Sequence, residues 1–169
     1  MMKYFSRKSI CLGVAAALFI ACQPSKSKLS DQITLLENEV YTGYDHKKMD
    51  SLLVLYREYI KEFSQDSLAG EYLFKSGTLN LTLRKGVEAL SDFTNLINNY
   101  PQSPYLPEVY YYKAFVYEDI LYDIEQAKAA YTDFINRFPE HKFVPDAALS
   151  IQYLGKTPEE IVASFEEKE

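Results

Sequence analysis

Apolar residues recur along the chain at helical spacing, and four landmarks of that pattern appear three times. Counting back from Ser64, Pro101 and Pro139, an aromatic comes immediately before (Phe63, Tyr100, Phe138) and an apolar residue five before (Tyr59, Leu96, Phe134). Another aromatic stands eight before (Tyr56, Phe93, Tyr131), and Leu52, Ala89 and Ala127 stand twelve before. Closures about 37 to 38 residues apart are what stacked helical hairpins produce, because one hairpin cannot bury its apolar face alone. The pattern predicts an all-α solenoid of three to four hairpins over residues 30–169.

The expected helices follow from the same periodicity. Ser30 and Asp31 offer an N-cap to a helix carrying Ile33, Leu35, Leu36 and Val40 that ends near Gly43. A second begins within residues 45–50 and buries Leu52, Leu53, Tyr56, Tyr59, Ile60 and Phe63. The next hairpin starts near Asp66 with Tyr72, Leu73, Leu79 and Leu83 on its first helix. Gly77 sits mid-helix, where glycine costs about 1 kcal/mol relative to alanine, so a neighbouring helix is expected to pass too close for a side chain. After a turn at residues 84–86, Val87, Ala89, Leu90, Phe93, Leu96 and Ile97 form the partner helix, stopped before Pro101.

The third hairpin is expected from residues 103–107, with Tyr110, Ala114 and Tyr117 on one face and Tyr111 and Phe115 on another. Tyr122 and Asp123 mark its turn, and Ile124, Ala127, Ala130, Tyr131, Phe134 and Ile135 pack the return helix. A shorter last pair covers residues 144–154, closed by Gly155, and a helix opened by Thr157, Pro158, Glu159 and Glu160. Ile161, Val162 and Phe165 are expected to face inward there, capping the end of the stack.

Tyrosine outnumbers phenylalanine, 15 to 10, and tryptophan is absent, which suits thin seams that are apolar at the ring and wet at the hydroxyl. The formal charge is −6. Lys3, Arg7 and Lys8 lie in the segment discussed next, so its removal would leave roughly −9, a balance that disfavours a nucleic-acid partner.

Those three cations precede an apolar run at residues 10–21, too short to span a bilayer but suited to a signal-peptide core. It ends in Phe19, Ile20, Ala21 and Cys22, which resembles the bacterial lipobox, with Phe19 in place of the usual leucine. The resemblance implies a lipoprotein signal peptide at residues 1–21 and lipidation of Cys22; an ordinary secretory signal is the competing reading. Acyl chains on Cys22 would anchor the chain firmly, at about 0.8 kcal/mol per buried methylene. Residues 22–29 are then a lipidated tether, and Gln23 after the cysteine, not aspartate, favours the outer membrane by the same resemblance, with the periplasmic face as the default.

The landmarks resemble the tetratricopeptide repeat. Leu73, Gly77, Ala89, Phe93, Leu96 and Pro101 match its signature, and so do Tyr110, Ala114, Ala127, Tyr131, Phe134 and Pro139, with one extra residue in the turn. The first repeat matches in its second half only, with Leu52 for alanine and Ser64 for proline. With a lipobox ahead, the chain is similar to outer-membrane lipoproteins of the Bam assembly machine and to the repeat domain of the Tol-Pal coordinator. The resemblance implies a protein-binding scaffold whose concave surface, lined by the first helix of each pair, receives a peptide or a partner's helix. Carried over by register, that lining is Glu71, Phe74, Thr78, Leu81, Tyr111, Phe115 and Glu118.

Catalytic chemistry is harder to find. His46 and His141, the only histidines, each adjoin lysine and are expected as surface residues, not metal ligands. The acid pairs Glu118-Asp119 and Glu159-Glu160 suit helix ends and solvated faces, and no cofactor is expected. An accessory subunit or enzyme acting on cell-wall glycan or peptide is the alternative, requiring a polar cleft with perturbed carboxylates.

Overall fold

The computed structural model describes residues 25–166, with side chains as far as Ala163; the expected signal segment and Cys22 lie outside them. The described chain is helical throughout, with α1 at Lys26–Thr42, α2 at His46–Glu62, α3 at Ser67–Thr82 and α4 at Gly86–Asn99. There follow α5 at Leu106–Phe115, α6 at Ile124–Arg137, α7 at Val144–Tyr153 and α8 at Pro158–Glu166. Each helix from α1 to α6 packs on the next in the chain, so hairpins α1/α2, α3/α4 and α5/α6 stack consecutively and α7 closes on α6.

The repeated landmarks are the seams. Leu52, Ala89 and Ala127, then Tyr56, Phe93 and Tyr131, then Tyr59, Leu96 and Phe134 are all at most 1% exposed. The second helix of each hairpin also ends alike. Phe63, Tyr100 and Phe138 leave helical geometry at φ −126°, −131° and −131°, each N–H still bonding the carbonyl four residues back. The N–H groups of Asp66, Ser103 and His141 then bond the carbonyls of Phe63, Tyr100 and Phe138 in a tight turn. In each turn a different side chain accepts from the backbone N–H two residues on: Asp66 Oδ1 from Leu68, Ser103 Oγ from Tyr105 and His141 Nδ1 from Phe143. His141 is therefore a half-buried turn-former and not the surface residue expected, because its ring nitrogen does the work of a carboxylate or hydroxyl.

Gly77 lies under the ring of Phe93. A Cβ placed there would stand 2.3 Å from Phe93 Cε1, so the close approach inferred from the glycine is present. The extra residue of the third hairpin is taken up by a π-helical turn at Val116–Ile120, in which Leu121 N–H bonds Val116 O, five residues back, at 3.0 Å. That turn packs on the start of α4, where a Cβ on Gly86 would meet Ile120 Cγ2 at 2.8 Å. Arg84 and Tyr122, each five residues before a seam alanine, both adopt left-handed geometry, at φ 55° and 54°.

Several expectations are corrected. α1 starts at Lys26, capped by Ser25, and buries Leu29, so residues 26–29 belong to the first helix and not to a tether. Leu35 and Val87 are 64% and 69% exposed: each lies two residues, about 200° of helix, from a buried seam residue, Ile33 and Ala89, and so faces solvent. Ile124 is also exposed, standing at the first position of α6 before its stripe begins. The capping box is present, Thr157 Oγ1 accepting from Glu160 N–H and Glu160 Oε2 from Thr157 N–H. Val162, expected inward, is exposed, because the described part of α8 does not pack closely on the preceding helices. Phe165 falls beyond the described side chains.

Candidate functional site: the face of the first helices

The first helices of successive hairpins meet along one face. Ser30 Oγ on α1 lies 3.4 Å from the Tyr72 hydroxyl on α3, and Glu37 on α1 pairs with Lys75 on α3 at 3.0 Å. Phe74 on α3 stacks on Tyr105, just before α5, with centroids 4.4 Å apart and planes 7° from parallel, and tilts against Tyr112 at 6.2 Å. Tyr111 on α5 reaches Phe143, just before α7, at 4.7 Å. Glu37, Phe74 and Tyr111 recur at one interval of 37 residues, so this line is the repeat itself seen from the side.

All seven residues assigned by register are half-buried. Glu71 pairs with Lys75 at 2.8 Å, placing that ammonium between Glu71 and Glu37. Burial works against the Lys75 charge, but the two carboxylates outweigh it and hold the pKa above its ordinary value. Thr78 donates its hydroxyl to the Lys75 carbonyl, and Leu81 packs against the second core cluster. Tyr111, expected to line the concave surface, also turns into the seam, its ring contacting Tyr131 at 5.7 Å and Phe134 at 5.6 Å inside the third hairpin. Phe115 belongs to the last turn of α5.

Glu118, on the π turn, accepts the Tyr131 hydroxyl at 2.5 Å. Burial first, and then that carboxylate, push the Tyr131 pKa up. The same device serves the first hairpin, where Tyr56 donates to Glu37 at 2.7 Å. A tyrosine buried at this seam position needs an acceptor, and the first helix supplies one; in the second hairpin Phe93 needs none. Glu118 is thus partly structural, which the register alone did not reveal.

Two cavities adjoin the start of α3, one against the turn joining α4 to α5 and the other against the turn joining α2 to α3, and neither was expected from the sequence. One, of about 500 Å³, is lined by Gly70, Glu71, Tyr100, Pro101, Pro104 and Tyr105 among others. The other, of about 580 Å³, shares Ser67, Asn99 and Tyr100 with it and adds Asn95 and Gln65. Tyr100 stands between them, its hydroxyl donated to Ser64 O at 2.7 Å. The sequence signal at this place is the aromatic and proline run at residues 100–105, which by itself implies only a helix stop.

Among the described residues, the buried side chains of Ser76 and Asn80 converge on one carboxylate between α3 and α4. Asp92 Oδ2 accepts from the Ser76 hydroxyl at 2.6 Å and from Asn80 Nδ2 at 2.9 Å. Burial raises the Asp92 pKa against those two bonds. No group of three or more His, Cys, Asp and Glu side chains among the described residues could hold a metal, and no described helix is long and apolar enough to cross a membrane.

Stacked hairpins with an accessible face on their first helices define an α-helical repeat scaffold. Residues 108–141, most of the third hairpin, match the tetratricopeptide repeat family, so the chain contains such a repeat, a module that suggests protein–protein interaction. Comparison with curated proteins finds no match.

Proposed function

We propose that the chain is a lipid-anchored scaffold of the bacterial cell envelope. In this reading it is held through Cys22 at the periplasmic face of the outer membrane, where it brings proteins together during outer-membrane protein assembly. The observation that carries the scaffold is the unbroken line from Glu37 through Phe74 to Tyr111, where three hairpins present carboxylates and half-buried rings on one side. Anchor and compartment rest on the sequence of residues 1–22, whose cations, short apolar run and terminal cysteine suit a lipoprotein signal.

The scaffold is tested by purification from detergent-solubilised membranes, comparing wild type with Phe115→Ser on the face and Val87→Ser on the exposed side of α4. Partners retained by Val87→Ser and lost by Phe115→Ser support the face; equal recovery by both removes it. The anchor is tested separately. Cys22→Ser should move the protein from the membrane to the soluble fraction, and continued pelleting with membranes would reject lipidation.

A further inference from the structure

The cavities beside Tyr100 lie at one end of the face, and their chemistry is one-sided. In the 500 Å³ cavity the lining carboxylate is Glu71, and no basic side chain contributes to the wall. Two carboxylates, Glu71 and Glu37, share the single ammonium of Lys75, so that trio keeps a net negative charge. The wall is also aromatic and fixed in place. Tyr105 is held by its stack on Phe74, and Tyr100 by its bond to Ser64 O. Across Tyr100, the larger cavity offers the amides of Asn95, Asn99 and Gln65, which can both donate and accept. Its one basic lining residue, Lys61, lies 3.4 Å from Glu62.

We infer that this double cleft receives an extended basic segment of a protein partner, with an Arg or Lys side chain seated between Tyr100 and Tyr105 beside Glu71. The inference rests on the scaffold reading and names the chemistry of the partner. A cation gains from aromatic faces and from a carboxylate together, and a guanidinium can engage both. Amides beyond Tyr100 suit the alternating donors and acceptors of an extended backbone. An acidic segment would meet Glu71 with no basic side chain in the wall of the smaller cavity, Lys75 behind it being already shared by Glu71 and Glu37, on a chain whose formal charge is −6.

The test is fluorescence anisotropy on the purified full chain with three labelled peptides of about twelve residues, which at ~3.3 Å per residue cross both cavities. One alternates Arg with Ser and Pro; the second replaces each Arg by citrulline, its neutral isostere; the third replaces each Arg by Glu. The Arg peptide should bind about tenfold or more tightly than either other peptide, the size of one charge-assisted hydrogen bond. Glu71→Gln should weaken the Arg peptide about tenfold and leave the citrulline peptide unchanged, with an unaltered melting curve showing that the variant is folded. Equal binding of the Arg and citrulline peptides, preference for the Glu peptide, or indifference to Glu71→Gln in a folded variant overturns the inference. If the Arg peptide fails while Phe115→Ser still loses partners, the cleft chemistry is wrong and the scaffold stands. If no partner depends on the face, the scaffold itself falls.

Discussion

In the second hairpin Gly77 lets the Phe93 ring lie almost on the α3 backbone, and the chain runs from Gly77 to Ala89 in an ordinary α-helix and turn. In the third, Ala114 occupies the glycine's place, Tyr131 replaces Phe93, and one more residue separates Ala114 from Ala127. The added residue would rotate everything after it by about 100° in a continued α-helix. Instead the helix widens to a π turn at Val116–Ile120, and Ala127, Tyr131 and Phe134 stay fully buried. What the two hairpins hold in common is the register of the seam, while helix geometry and turn length adjust to keep it. The π turn also carries Glu118 to the Tyr131 hydroxyl, so the irregularity supplies the bond that the tyrosine requires.

The sharpest way to break this comparison is to make the second hairpin like the third at one position. Gly77→Ala removes a helix-destabilising glycine, worth about 1 kcal/mol in stability if space allowed. With a Cβ 2.3 Å from a fully buried ring, it should instead destabilise by about 1 to 3 kcal/mol in urea unfolding. Adding Phe93→Leu should make the Gly77→Ala step less costly, a positive coupling that a double-mutant cycle measures. A stabilised Gly77→Ala would mean that the seam is looser than it looks.

Next in size is the hydroxyl that distinguishes the third seam. Tyr131→Phe leaves the Glu118 carboxylate without its donor and should cost about 1 to 2 kcal/mol. Phe is already native at the matching position 93, so a neutral substitution would show that Glu118 is satisfied by water.

A smaller effect separates the hairpins by pH. Burial raises the Asp92 pKa above its ordinary 3.8, with Glu88 adding to the shift and Arg57 opposing it. An acid whose folded-state pKa is raised stabilises the fold fully below its unfolded value and loses that contribution as pH rises through the folded value. Stability should therefore decline as pH climbs above about 3.8 through the raised value, and Asp92→Asn should flatten that part of the profile. The amide can also donate, and the buried Asn80 Oδ1 has no partner among the described residues. At neutral pH the variant should be at least as stable as wild type by thermal melting.

Smallest is the left-handed turn residue. Tyr122, at φ 54° and exposed, should gain up to about 1 kcal/mol on replacement by glycine, offset slightly by its long 3.4 Å contact with Arg84. A loss of stability would place more weight on that contact than its length suggests.

The seams were legible in the sequence because they depend on a few side chains at fixed intervals. Leu52, Ala89 and Ala127 could be aligned without knowing anything beyond them. Gly77 was readable too, since a costly residue mid-helix implies a close neighbour. The first helix is less legible: its repeat lacks the small residue and the proline, so nothing in the pattern separates the core residue Leu29 from the polar tether expected before it. The π turn was visible only as an extra residue, because its geometry depends on packing against Gly86 in another hairpin.

The face was half legible. Register placed Phe74 on α3 and Tyr111 on α5 but said nothing of Tyr105 or Phe143, which approach from the turns. The role of His141 is not legible in the sequence because its equivalents in the turn, Asp66 and Ser103, share no chemistry with it except a hydrogen-bond acceptor.

The most direct test of the recognition face is site-specific photocrosslinking in the cells that make the protein, with a benzoylphenylalanine at Thr78 on α3 or at Val87 on α4. Discrete protein adducts from Thr78 and none from Val87 are the expected result. Adducts from Val87 with none from Thr78 would place recognition on the opposite side of the stack and contradict it.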